Sequence, residues 1–241
     1  MIDLQNVSFS YGREMILHQI SCRMANGEVV GLIGPNGAGK STLLRLCARI
    51  LKPLEGSVLV DERPAGDYPA KAFARQLAFL PQSRPTPAIS VRSLVTLGRF
   101  AHEKGDREAV EAAMQTVGIA SLAERDVRTL SGGQRQMAYL AMLLAQESPN
   151  VALDEPFTHL DIGAQLDVAR VIRQMKDAGK CVVVVMHDLN LLEQVCGRAV
   201  LMDSGRIVYD GNAADCLRSN ALQDAFGVRI LENQGITFVK R

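Results

Sequence analysis

Gly34-Pro-Asn-Gly-Ala-Gly-Lys-Ser-Thr42 follows directly after the apolar run Val29 to Ile33, so a glycine-rich loop joins a predicted buried strand to a predicted helix. Its spacing, G-x-x-x-x-G-K-S, is that of a phosphate-binding loop. The glycines let the backbone turn so that successive N–H groups point at phosphate oxygens at the start of the following helix. The predicted nucleotide-contacting residues are Gly34, Asn36, Gly37, Gly39, Lys40, Ser41 and Thr42.

Two side chains of this loop have distinct chemical roles. Lys40 can bridge the β- and γ-phosphates, and Ser41 can offer its hydroxyl to Mg²⁺. The alternative, an ordinary glycine-rich turn between a strand and a helix, gives no reason for Lys-Ser at this offset. ATP and Mg²⁺ are therefore the predicted ligands.

Charge and composition argue against a nucleic-acid partner. The 241 residues include 27 Lys+Arg and 26 Asp+Glu, no tryptophan and few aromatic residues, so no basic stripe is present. The chain is long enough for one large domain or for one domain with an inserted lobe.

The cysteines and the hydropathy pattern indicate the cellular compartment in which the chain works. Five cysteines without a C-x-x-C pair favour reduced thiols over a disulfide framework or a zinc site. The N-terminus shows no signal-peptide pattern, and no run approaches the ~20 apolar residues of a membrane span. We expect a soluble chain whose membrane role, if it has one, comes through a partner.

Strand and helix patterns divide the chain into a core and an inserted segment. Unbroken apolar runs such as Val182 to Met186 are typical of strands covered on both faces of a parallel sheet. From Val91 to Gln146 the periodicity is helical, with Asp106 as a possible N-cap and Gly118 as a stop of one helix. Three prolines between Pro81 and Pro87 suggest a hinge into this helical part. Strands are predicted at Ile2 to Val7, Val29 to Ile33, Ser57 to Val60, Leu77 to Leu80, Val151 to Leu153, Val182 to Met186, Ala199 to Met202 and Ile207 to Tyr209.

Two adjacent carboxylates end a predicted strand in Val151-Ala-Leu-Asp-Glu-Pro156. Their side chains point in different directions, so they can serve different roles. Asp154 is predicted to hold Mg²⁺, through water, and Glu155 to polarise the water that attacks the γ-phosphate. A solvated acidic turn is the alternative, and the phosphate-binding loop upstream makes it the weaker one.

The segment Leu130-Ser-Gly-Gly-Gln-Arg-Gln136 precedes an apolar helical run and predicts a second anion site at a helix N-terminus. Together with the two motifs above, it closely resembles the signature of ABC ATPases. The resemblance covers roughly residues 2 to 215 and implies that Ser131, Gly132, Gly133 and Gln134 contact nucleotide.

Further family motifs can be matched one at a time. Tyr11 resembles the aromatic residue that stacks on adenine, and Gln82 resembles the glutamine that contacts Mg²⁺ and the attacking water. Asp161, in Thr158-His-Leu-Asp, matches the loop that touches an opposite subunit, and it could also simply cap a helix. His187 resembles the switch histidine at the γ-phosphate. Glu155, His187 and Gln82 thus form the implied catalytic set.

The resemblance implies a fold and an assembly. The fold is α/β, a P-loop NTPase with a mainly parallel central sheet, an N-terminal antiparallel β part and an inserted helical lobe. Residues 1–82 and 147–241 would form the core of a single domain, and residues 83–146 the lobe with the signature segment. Two copies would sandwich two ATP head to tail, and the lobe would pass the motion to membrane permease subunits at the cytoplasmic face of the inner membrane.

The subclass resembled is that of importers for ferric siderophores, haem or cobalamin, which act with a substrate-binding protein. The pattern V-x-x-L-V-x-x-G-R-aromatic between Val91 and Phe100 carries this resemblance. The link between His102 and Asp106 is shorter than in many siderophore-type ATPases, which leaves the cargo open. Alternatives are an exporter ATPase, an importer of another substrate, an ABC protein working on nucleic acid or ribosomes, and a regulator that binds ATP without useful turnover.

Overall fold

The computed structural model describes residues 1–102, 107–232 and 236–240, with side chains up to residue 229. Asp106, the predicted N-cap, and the short link before it lie outside the described residues. The elements in chain order are β1 (Ile2–Tyr11), β2 (Glu14–Met24), β3 (Val29–Ile33), α1 (Lys40–Cys47), β4 (Glu55–Val60), β5 (Arg63–Pro64), α2 (Ala70–Gln76), β6 (Leu77–Leu80), α3 (Val91–Thr96), α4 (Arg107–Thr116), α5 (Gly132–Ala145), β7 (Asn150–Asp154), α6 (Ile162–Asp177), β8 (Cys181–Val185), α7 (Leu189–Val195), β9 (Arg198–Asp203), β10 (Arg206–Asn212), α8 (Ala213–Arg218), α9 (Asn220–Phe226), β11 (Val228–Glu232) and β12 (Ile236–Lys240).

A mainly parallel sheet forms the centre of the molecule. In the described part of the chain it has six strands in the order β10-β9-β3-β8-β7-β6. All neighbours are parallel except β10, which pairs antiparallel with β9. Every residue of β3 and β8 is buried, which confirms the prediction drawn from their unbroken apolar runs, and every residue of β7 is buried as well. The carboxyl ends of β3 and β7 therefore carry the phosphate-binding loop and Asp154 to the same edge of the sheet.

A second, antiparallel sheet covers the N-terminal part, with the strand order β2-β1-β4-β5. The sequence patterns did not predict β2. Its register against β1 shifts between Val7 and Phe9, and Gln19 has a positive φ of 51°. This irregularity buries both Leu17 and Ile20, three residues apart, and so hides the alternation by which strands are recognised.

The segment between β6 and β7 is helical, as predicted. Among its described residues the only β pairing is an isolated bridge between Ser90 and Asp126. Met114 of α4 and Leu140 of α5 are fully buried in a core that α3 shares. Gly118 takes a φ of 76° just after α4, which confirms it as the stop.

Buried residues lie on both faces of the central sheet. One cluster includes Leu43 and Leu44 of α1 together with the antiparallel sheet, and the other includes α5, α6 and the helical segment. On α6, Ala169, Ile172 and Met175 are buried, whereas Leu166 is exposed. All five cysteines are buried and unpaired. Of the described helices, none has the length and apolarity to span a bilayer.

Candidate functional site

The phosphate-binding loop turns sharply between β3 and α1. Gly34 has a φ of 146°, and a Cβ there would collide with the carbonyl oxygen of Met202. Gly39 has a φ of 95°, and a Cβ there would lie 2.6 Å from Leu17 Cδ2. Only glycine fits both positions, because each combines a left-handed backbone with a close neighbour. The loop therefore leaves its N–H groups at the start of α1, a position that can bind a phosphate.

A single cleft gathers most of the predicted nucleotide-contacting residues. Tyr11 is 45% exposed at its rim and rests edge-on against Phe9, with ring centroids 4.8 Å apart. Its free ring face can stack on a base. Ile16, which the sequence patterns did not single out, adds apolar surface near it. The cleft is lined by Tyr11, Ile16, Asn36, Gly37, Gly39, Lys40, Ser41, Thr42, Glu155 and His187.

Lys40 lies buried along the loop. Its Nζ donates to the carbonyl oxygens of Gly34, at 2.7 Å, and of Pro35, at 2.9 Å. Burial lowers the pKa of this ammonium group, while the nearby carboxylates of Glu155 and Asp154 act in the opposite direction. An ammonium group has three donors, so one remains for a phosphate oxygen in addition to these two bonds.

Ser41 and Asp154 meet beneath the cleft. Ser41 Oγ donates to Asp154 Oδ1 at 2.9 Å, and the Asp154 side chain is buried. Burial raises the pKa of Asp154, and the hydrogen bond from Ser41 partly offsets this effect. A hydroxyl oxygen and a carboxylate side by side are hard oxygen donors of the kind that Mg²⁺ prefers. The residues present therefore fit a Mg²⁺ ion together with phosphate oxygens.

The carboxylate of Glu155 contacts one residue from each of three predicted motifs, namely Gln82, Thr158 and His187. Its Oε2 accepts hydrogen bonds from Gln82 Nε2 at 2.7 Å and from Thr158 Oγ1 at 3.1 Å. Its Oε1 lies 2.6 Å from His187 Nε2. The backbone of Glu155 is in the left-handed region, with a φ of 52°. For a non-glycine residue this conformation costs about 1–3 kcal/mol, and such strain concentrates at functional sites.

The signature segment lies apart from this cleft. Among the described residues that line the cleft, none belongs to 131–134. Ser131 caps α5: its Oγ accepts from the Gln134 amide, and Gln134 Oε1 accepts from the Ser131 amide, both at 3.2 Å. Gly133 packs close to Ala164, whereas a Cβ on Gly132 would meet open space. Asp161 caps α6 by accepting from the Ala164 amide at 2.8 Å, as the capping alternative predicted.

The structure thus brings together Tyr11, the phosphate-binding loop, Glu155, His187 and Gln82, and it leaves the signature residues outside. The sequence patterns missed the role of Thr158 toward Glu155. A turn closed by the Thr158 amide on the Glu155 carbonyl, at 3.4 Å, brings the hydroxyl back to the carboxylate. Pro156, directly after Glu155, is the sequence signal for such a turn.

Comparison with known proteins agrees with this geometry. A family model described as ABC transporter matches residues 17–158. The ferric enterobactin transport ATP-binding protein FepC of Escherichia coli (strain K12) is 36% identical over 236 residues, which cover 94% of this chain and 87% of that protein. The hemin import ATP-binding protein HmuV of Pseudomonas aeruginosa is 38% identical over 240 residues, covering 96% and 94% respectively.

The solved structures point the same way. A dimeric ATP-binding cassette, in a post-hydrolysis state bound to ADP and Pi, superimposes with a TM-score of 0.79 at 26% identity. The superposition covers 88% of this chain and 99% of that one. Because the family model spans more than half of the chain and the curated relatives align over nearly all of it, this chain belongs to the ABC transporter family and is one of its ATPases.

Proposed function

We propose that Glu155 polarises the water that attacks the γ-phosphate of ATP, and that Gln82 and His187 position Glu155 and contact the phosphate end. The contacts of Gln82 and His187 with the two carboxylate oxygens of Glu155, at the rim of the phosphate-binding cleft, are the observation that carries this assignment. Lys40 binds the β- and γ-phosphates, and Tyr11 stacks on the adenine.

Mg²⁺ would be held by Ser41 directly, by Asp154 through water and by Gln82. When bound, the ion neutralises developing charge on the phosphate oxygens. The adjacency of Ser41 and Asp154 supports this placement.

The chain acts as one of two copies in a head-to-tail dimer. Each copy would present Ser131, Gly132, Gly133 and Gln134 to the nucleotide held by the other, with the Asp161 loop at the contact. The separation of the signature segment from its own cleft supports this arrangement, as does the dimeric state of the related cassette. Residues 1–82 and 147–241 would serve as the core and residues 83–146 as the lobe within one domain.

The transported cargo is a metal chelate, a ferric siderophore, haem or cobalamin, imported through a separate permease with a substrate-binding protein. The names of the curated relatives, which concern ferric enterobactin transport and hemin import, support this class. The chain would lie on the cytoplasmic face of the membrane, bound through the permease.

An exposed apolar pair on the helical segment supports a permease contact. Leu97 is 57% exposed and Phe100 is 77% exposed, whereas Gly98 and Arg99 between them are buried. Gly98 packs on the Met142 carbonyl, and Arg99 donates to the Ala145 carbonyl oxygen at 2.7 Å. The buried Gly98 and Arg99 thus hold this segment so that the side chains of Leu97 and Phe100 face solvent. Exposed apolar side chains of this kind are typical of a docking surface.

The test is ATPase activity in lipid vesicles after co-expression with a candidate permease. Binding protein loaded with ferric siderophore, haem or cobalamin is added on one side, and unloaded binding protein is the control. Stimulation by one loaded chelate supports the proposal. Healthy basal turnover without stimulation by any of them would instead favour an exporter or an importer of another substrate.

A further inference from the structure

A second polar cavity lies beside the catalytic carboxylate, between the segment after Gln82, the start of α5 and the loop after Glu155. Among the described residues that line it, none is an aspartate or glutamate, while two are arginines. Its walls are formed by Gln82, Arg84, Thr86, Gly132, Arg135, Gln136, Tyr139, Thr158, His159 and Leu160. A cavity with this lining favours an anion.

Among the described residues, no carboxylate pairs with Arg84. Its guanidinium lies over the Tyr139 ring, 5.1 Å from the centroid, and the Tyr139 hydroxyl donates to the Pro85 carbonyl oxygen. Within the described part of the chain, Arg84 Nη1 is buried and has no hydrogen-bond partner. Burial lowers the pKa of the Arg84 guanidinium, and the positive charge of Arg135 acts in the same direction.

Gln136 provides a second, independent donor. Its side chain is 4% exposed, and its Nε2 is buried with no hydrogen-bond partner among the described residues. Buried donors in folded proteins nearly always have a partner, and both of these orphaned donors belong to residues that line the cavity.

We propose that this cavity binds a phosphate oxyanion, and that its ligand is the inorganic phosphate released by ATP hydrolysis. Guanidinium and amide N–H groups are the donors that phosphate oxygens accept. Gln82 and Thr158 line the cavity and also donate to Glu155 Oε2, so the cavity and the catalytic carboxylate share a wall. Cleaved phosphate that leaves between these two side chains would meet Arg84 and Arg135. The proposal rests on the catalytic placement of Glu155 proposed above.

The experiment measures binding of inorganic phosphate to the full chain by calorimetry. It uses the Lys40→Ala background, in which the phosphate-binding loop is weakened. We expect saturable binding of one phosphate, at least about tenfold weaker after Arg84→Gln because a charge-assisted contact is lost. Gln136→Leu, which removes the second donor without changing the charge, should also weaken it. Arg125→Gln, on the exposed surface of the helical segment, is the matched control.

Three results would overturn the proposal. The first is the absence of phosphate binding in the Lys40→Ala protein, and the second is phosphate binding that neither Arg84→Gln nor Gln136→Leu weakens. The third is that Arg84→Gln leaves the phosphate affinity unchanged but weakens the ATP-dependent dimerisation of Glu155→Gln protein. That combination would assign the cavity to the γ-phosphate of a nucleotide on a second copy. Direct binding requires neither turnover nor a cargo, so failure here is distinguishable from failure of the proposed function.

Discussion

His187 Nε2 lies 2.6 Å from Glu155 Oε1, so a side chain that follows β8 contacts the carboxylate that follows β7. The other oxygen of Glu155 accepts from Gln82 and Thr158. Both carboxylate oxygens are thus engaged by protein groups. For Glu155 to hold an attacking water, one of these partners must share a carboxylate oxygen with the water or move away from it.

Glu155→Gln should keep ATP binding but slow steady-state hydrolysis at least about a hundredfold, because the water loses the group that polarises it while the phosphate cradle stays intact. Phosphate release and nucleotide affinity are measured on the same preparation. Glu108→Gln, an exposed change on α4, is the control and should hydrolyse normally. Near-normal turnover in Glu155→Gln would remove the catalytic assignment.

Thr158→Val should lower turnover several-fold without changing ATP affinity, because the hydrogen bond to Glu155 is lost and a net contribution of about 1 kcal/mol goes with it. Thr158→Ser retains the hydroxyl and should recover most of the rate. If the serine and valine proteins were equally slow, the hydroxyl would have no positioning role.

Tyr11→Ala should weaken ATP binding by roughly tenfold, since aromatic stacking on a base contributes about 1–3 kcal/mol. Tyr11→Phe keeps the ring and the edge-on contact with Phe9, and should bind ATP as the original protein does. Equal affinities for the alanine and phenylalanine variants, measured with a fluorescent ATP analogue, would argue that the adenine lies elsewhere.

Asp154→Asn should raise the melting temperature of nucleotide-free protein near neutral pH. Burial raises the folded-state pKa of Asp154 above its ordinary value of 3.8, so its ionised form reduces stability. The loss of folding stability caused by ionised Asp154 is absent below the ordinary pKa of 3.8. It grows as the pH rises toward the folded-state pKa and is constant above that value.

The gain should be roughly 2–4 °C for each kcal/mol relieved. The gain in melting temperature should disappear as the pH is lowered toward the ordinary pKa of an aspartate. Mg²⁺ and ATP should stabilise the Asp154→Asn protein less than the original protein. Asp167→Asn, at an exposed surface pair, is the control and should change little. A lower melting temperature for Asp154→Asn at neutral pH would contradict the direction of this shift.

Gly132→Asp should abolish the ATP-dependent dimer formed by Glu155→Gln protein, because a carboxylate would face the phosphate of the opposing nucleotide. A Cβ at Gly132 meets open space, so this variant leaves its own subunit intact, whereas Gly133 packs against Ala164. Light scattering with and without ATP gives the dimer fraction. Survival of the dimer in the Gly132→Asp protein would exclude a head-to-tail sandwich.

Local patterns in the sequence were sufficient for the phosphate-binding loop, the paired carboxylates and the buried parallel strands. Each depends on residue types at short, fixed spacings: glycines where the backbone is left-handed, Lys-Ser at the start of α1, and unbroken apolar runs for strands covered on both faces. The Asp161 cap and the Gly118 stop are local in the same sense. By contrast, β2 was not predicted, because its irregular register with β1 breaks the alternation of its buried residues. That register is a property of the strand pair and not of the β2 sequence alone.

Only the tertiary structure decided which distant side chains meet. Glu155 contacts Gln82, 73 residues away, and His187, 32 residues away, because parallel pairing places the ends of β6, β7 and β8 side by side. The same packing stacks Arg84 on Tyr139 and leaves two buried donors at one cavity. The sequence by itself thus determined the nucleotide chemistry, since short motifs carry it. The fold decided the geometry between motifs, since that depends on strand order and helix packing that no local spacing encodes.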